Sequence, residues 1–177
     1  MAVYIGHSCA LLISAISAVT DWRTGHIPNW VTLPAIVLAP IGWFFSFGIS
    51  VGLESLLGIL VCGFVPYLLF RKGAMAGGDV KLFAAIGGLT GIFVGIEAQF
   101  FSFIAAAIMA LGALAWKGML FRTLANAGRI AFNPLLPEKK RKEVSKENLN
   151  EFRLGTSIFV GTVIALAFHH PALWMTP

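Results

Sequence analysis

Apolar residues fill this chain in long unbroken blocks rather than in helical or strand stripes. Cut at the charged residues, the uncharged stretches run 1–20, 24–53, 55–70, 82–96, 98–116 and 154–177. A membrane-spanning helix takes about 20 residues, and roughly 17–25 are tolerated. The blocks at 1–20, 98–116 and 154–177 fit directly, and 24–53 holds a turn and one span. The two short blocks need flanking residues or tilt to span. The pattern predicts an all-α, polytopic membrane protein with six transmembrane helices. They are expected near 2–20, 30–47, 53–70, 80–96, 98–116 and 154–174, within one domain over 1–177.

Residues 117–153 read differently. Leu120, Leu124, Ala127 and Ala131 form one narrow helical stripe, with Arg122 and Arg129 on the other side. That suits an amphipathic helix in the membrane interface, its cations near lipid headgroups. Residues 138–151 mix five cations with four Glu and read as a solvated loop.

Composition narrows the class. Of 177 residues, 58% are hydrophobic and 12% charged, too few charges to cover an ordinary soluble domain, which carries about a quarter. Cys9 and Cys62 lie inside apolar runs, which suits small buried hydrophobes better than a disulfide framework or a zinc site. The net charge of +5 is no nucleic-acid signal, because position matters more than sum. Arg23 falls in the first loop, Arg71, Lys72 and Lys81 flank the third, and the other nine Lys and Arg lie in the fifth. In a six-span chain these loops share one side, and only Glu54 and Glu97 lie in the loops opposite. Positive charge marks the cytoplasmic face, so both termini are expected outside. No cation precedes the first apolar block, unlike a cleavable signal, so it reads as a retained helix.

Gly87, Gly91 and Gly95, with Ala84 and Gly88, make a small-residue stripe on the expected fourth span, a helix-packing feature. Pro34, Pro40 and Pro66 fall where neighbours can satisfy the carbonyls they free.

Candidate chemistry gathers at the only two aspartates. Asp21 closes the first block in Asp21-Trp22-Arg23-Thr24-Gly25-His26-Ile27-Pro28-Asn29, and Asp79 opens the fourth in Gly77-Gly78-Asp79-Val80-Lys81-Leu82. Either alone reads as a helix cap or an ion-pair partner. Together, at one membrane edge, they are functional candidates. Two carboxyls in a low-dielectric site share a proton, which equips them for general acid–base attack of water on a carbonyl. Gly77 and Gly78 would let a substrate strand approach the backbone. Asn29 would cap the second helix or orient a carboxylate, the cap being the simpler role. Lys81 would act on a neighbouring Asp or on lipid phosphate. The four histidines make no ligand-spaced metal set.

These two motifs, about fifty residues apart, resemble those of the type IV prepilin peptidase family, membrane aspartic proteases of the GxGD type. The likeness is closest to the short branch associated with Tad/Flp-type pili. The resemblance implies Asp21 and Asp79 as the catalytic pair, no cofactor, residence in a bacterial inner membrane among lipids, and a prepilin substrate whose basic leader ends in Gly. It departs from the pattern at Ala76, where the family has Gly. The chain also lacks the cysteine-rich insertion that accompanies N-methylation in long members. Readings from other classes are a small proton- or ion-coupled transporter and a non-catalytic pilus assembly subunit.

Overall fold

The computed structural model describes residues 2–116 and 153–169, and these are helical apart from short connections. Six helices follow in order: α1 (Ala2–Thr24), α2 (Asn29–Phe47), α3 (Ile49–Arg71), α4 (Gly77–Thr90), α5 (Ile92–Trp116) and α6 (Gly155–Phe168). The expected interfacial helix and charged loop over 117–152 lie outside the described residues. The chain divides into two compact units, Met1–Ala106 with Arg153–Pro177, and Ala107–Phe152. The second is described only by the end of α5. Both aspartates and the apolar core belong to the first.

Among the described residues, four helices are long and apolar enough to cross a membrane: Tyr4–Thr24, Asn29–Phe47, Ile49–Arg71 and Ile92–Ala113. The other two, α4 and α6, have 14 residues each, about 21 Å at helical rise, against a hydrocarbon core of roughly 30 Å. Sequence spacing put the fourth turn at Glu97. The chain instead breaks at Gly91, whose φ of 84° suits a residue without a Cβ, and Glu97 lies inside α5. Its carboxylate meets His169, just past the end of α6, at 2.6 Å.

Outside the core around α4, many large apolar side chains face outward and small ones inward. Phe45 is 81% exposed, Phe93 79% and Trp30 69%, while Ser14, Ser17, Thr32, Ser55, Ser102, Ser157 and Thr162 are buried. This is the arrangement of helices packed in lipid, where close backbone approach replaces the aqueous hydrophobic effect. The predicted stripe is split: Gly91 ends α4 and a Cβ there would meet nothing within 4 Å, while Gly87 and Gly88 on α4 and Gly95 on α5 make the close approaches. A Cβ on Gly87 would stand 2.7 Å from Cys62, one on Gly88 2.7 Å from Ile59, and one on Gly95 2.6 Å from Cys62 Sγ.

Short as it is, α4 packs against α1, α2 and α3 and is buried continuously from Leu82 to Gly88. Leu82, Phe83 and Ile86 pack with Met75, Ala98, Ile158 and Ala165 as the apolar core. Carbonyls freed by helix irregularities find side-chain donors. Pro66 cannot bond the Cys62 carbonyl one turn earlier, and Gln99 Nε2 donates to it at 3.0 Å. The Gly88 carbonyl, beside the break, accepts from Ser55 Oγ at 2.6 Å and Trp43 Nε1 at 3.2 Å.

Candidate active site

Asp21 reaches the interior because it continues the packed face of α1. Ala10, Ser14, Ser17 and Asp21 are all buried, at intervals of four, three and four that keep one side of a 3.6-residue helix. Ser17, one turn before Asp21, has a buried hydroxyl with no hydrogen-bond partner among the described residues. Asp79 arrives from the opposite direction of the chain, in the first turn of α4. The two carboxyl-bearing residues are 6% and 5% exposed, far drier than isolated surface carboxylates.

Asp79 is not the cap residue of α4. Ala76 holds that position at φ −81° and ψ 151°, and Asp79 Oδ2 accepts the Ala76 N–H at 3.3 Å, the reach-back half of a capping box. Asp79 lies ahead of the expected span 80–96, on a helix that is not among the four candidate crossings. Burial, and then the charge of Asp21, push its carboxyl from 3.8 up to about 7, against the opposing effect of the Ala76 N–H. The two aspartates are thus close enough to sense one another. At neutral pH such a carboxyl offers a proton as readily as it accepts one.

Of the supporting residues expected from sequence, Gly78 is the most tightly enclosed. A Cβ on it would stand 2.9 Å from Ile27 Cβ, so this glycine serves the chain's own packing, seating the Gly25–Pro28 turn against α4. Gly77 is less constrained, its nearest neighbour being Phe70 at 3.5 Å from an added Cβ. Asn29 is no cap: Pro28 occupies that position without a side-chain bond. Asn29 Oδ1 instead accepts from Lys81 Nζ at 2.8 Å, which ties α2 to α4 and takes the amine to an amide rather than to a carboxylate. Ala76, the departure from the motif, is exposed in an extended conformation open to any residue.

Sequence reasoning expected the last helix near 154–174 but missed its part in the site. The N–H of Gly155 donates to Asp21 Oδ2 at 2.9 Å, and Arg153 donates to the Trp22 carbonyl. The available signal was a glycine opening the final apolar block, directly after its last charge. Among the described residues no three His, Cys, Asp or Glu side chains converge as they would on a metal ion.

Compared with known proteins, residues 8–111 match the model of the type IV leader peptidase family, a stretch that holds both aspartates and covers more than half the chain. No curated protein and no solved structure matched.

Proposed function

Because the chain belongs to the type IV leader peptidase family, we propose that it is a membrane aspartic endopeptidase in which Asp21 and Asp79 form the catalytic pair. The observation that carries this reading is that the only two Asp of the sequence are both buried, near the end of α1 and in the first turn of α4, with the charge of Asp21 felt at Asp79. Its substrates are type IV prepilins, of the Flp-like kind by the resemblance to the Tad/Flp-associated branch, cleaved after a Gly at the cytoplasmic face of a bacterial inner membrane.

The chemistry derives from the pair. The ionised carboxylate takes a proton from water as the water oxygen attacks the scissile carbonyl carbon. The protonated carboxyl donates to the carbonyl oxygen, leaving a neutral gem-diol. As the C–N bond breaks, the first carboxyl hands its proton to the departing nitrogen, and the second recovers its own from a gem-diol hydroxyl. Neither group needs a cofactor, and both return to their starting state. A six-span topology with the basic loops inside would put a pilin's basic leader on the side of both Asp, with its apolar helix in the bilayer.

The deciding experiment is cleavage of a prepilin in membranes. Asp21→Asn and Asp79→Asn are each expected to abolish processing while leaving the protein at its normal level. Full processing by either variant would end the proposal.

A further inference from the structure

Gly155 is the first residue of α6, so its N–H has no acceptor within its own helix. It is spent on Asp21 Oδ2, at 2.9 Å, in a buried bond between residues 134 apart in sequence. The position is also sterically fitted to that carboxyl. A Cβ on Gly155 would stand 2.7 Å from Asp21 Cβ and 2.8 Å from Oδ2, closer than real side chains come. Two residues earlier, Arg153 donates to the carbonyl of Trp22, the neighbour of Asp21, so the start of α6 is fastened to α1 twice within two residues. None of these α6 groups lies within residues 8–111.

We propose that Gly155 is a positioning residue for the aspartate pair: its N–H and its missing side chain fix the Asp21 carboxylate and hold it as the proton-accepting member. The assignment rests on the reading of Asp21 and Asp79 as a catalytic pair. A backbone N–H can only donate, and an ionised carboxylate is the stronger acceptor. The partial positive charge at the start of α6 acts in the same direction. Among the described residues, the charged and titratable groups near the pair or Gly155 in sequence are Lys81 on α4, Arg23 on α1, His26 in the turn after α1 and Arg153 ahead of α6. Lys81 is engaged by Asn29 and Arg153 by Trp22. Asp79 also accepts a helix-start N–H, from Ala76, but at 3.3 Å against 2.9 Å for Asp21, and burial outweighs it there, which leaves Asp79 to carry the proton. The last helix then completes a site whose two carboxylates come from the first half of the chain.

The test needs no substrate at its first stage. Dicyclohexylcarbodiimide reacts with a carboxyl through its protonated form, and labelling of Asp21 is read by mass spectrometry on the full chain in detergent. Gly155→Ala is expected to raise the Asp21 labelling rate at least about fivefold, as expected when a charged hydrogen bond is lost. In prepilin cleavage its kcat should fall about 10- to 100-fold with KM held within about twofold, the signature of a misplaced reacting group. Gly161→Ala is the control. It lies on the same helix, where its Cβ would meet the Ser102 backbone N and Oγ, and should lower stability without changing Asp21 labelling or kcat per folded molecule. Unchanged Asp21 labelling in Gly155→Ala, or an equal rise in Gly161→Ala, overturns the proposal.

Should Gly155→Ala not fold, amide exchange at Gly155 decides. Asp21→Asn keeps an acceptor and should keep the amide protected, whereas Asp21→Ala should speed its exchange at least about tenfold. Equal exchange in wild type and both variants overturns the proposal. Labelling and exchange proceed without cleavage, so failure of the peptidase reading, seen as a wild-type chain that processes no prepilin, is told apart from failure of this assignment, seen as unchanged labelling and exchange.

Discussion

Asp79 accepts the N–H of Ala76 three residues before it, and that single bond is outweighed by burial and by Asp21, which together lift the Asp79 carboxyl to about 7. A proton is therefore bound more tightly in the folded chain than in the unfolded one. The contribution of Asp79 to folded stability is fully present below the unfolded value of 3.8 and is lost as pH rises through the window up to about 7.

Asp79→Asn removes that titration. Its melting temperature should exceed that of wild type at pH 8 by roughly 5 °C, with the gap closing toward pH 4. Thermal melts in detergent at both pH values check it, and a constant gap would contradict the raised carboxyl. Activity of the wild type should fall as pH rises through about 7, because a protonated carboxyl is consumed from the working pair.

Gly78→Ala should be destabilising by about 1–3 kcal/mol, the usual cost of overpacking, because its Cβ would come within 2.9 Å of Ile27. Pairing it with Ile27→Ala should recover part of that loss, a coupling read by a double-mutant cycle of melting or denaturant midpoints. Simple additivity would show that the contact is not what makes the glycine necessary.

Ala76→Gly should leave cleavage within about twofold of wild type. Ala76 is exposed and its φ of −81° makes no demand for glycine. A tenfold gain on restoring the motif residue would mean that the methyl group obstructs the substrate.

Gln99→Leu should cost about 1–3 kcal/mol, the penalty of a buried carbonyl left without a donor. The Cys62 carbonyl has lost its helical partner to Pro66 and depends on Gln99. Reversing Pro66 to Ala in the same chain should relieve the defect, since the backbone N–H returns. Equal melting of Gln99→Leu and wild type would show the carbonyl is served otherwise.

The apolar blocks alone located α1, α2 and α3 to within four residues at each end and marked the chain as a membrane protein, because the requirement for uncharged length is written in composition. The same scarcity of charge exposed Asp21 and Asp79, since an ionisable residue in so apolar a chain has few places to be. Boundaries set by backbone conformation were less legible. Glu97 looked like the end of a span because it is charged, yet a single glutamate with a histidine partner is tolerated inside a helix, and the break falls at Gly91 by its positive φ. Asn29 had the side chain of a cap, but a cap is defined by the backbone ahead of it, and Lys81 claimed the amide from 52 residues away.

Sequence by itself therefore determined the solvent of this protein, the residues carrying its candidate chemistry and their family. Those follow from local composition and from two short motifs. Only the tertiary structure decided that Gly78 is closed by Ile27, that Asp79 reaches back to Ala76, and that Gly155 supplies a donor to Asp21. Each is a contact set by how helices approach, and a glycine's missing Cβ or an unpaired helix-end N–H has no meaning until the partner surface is in place.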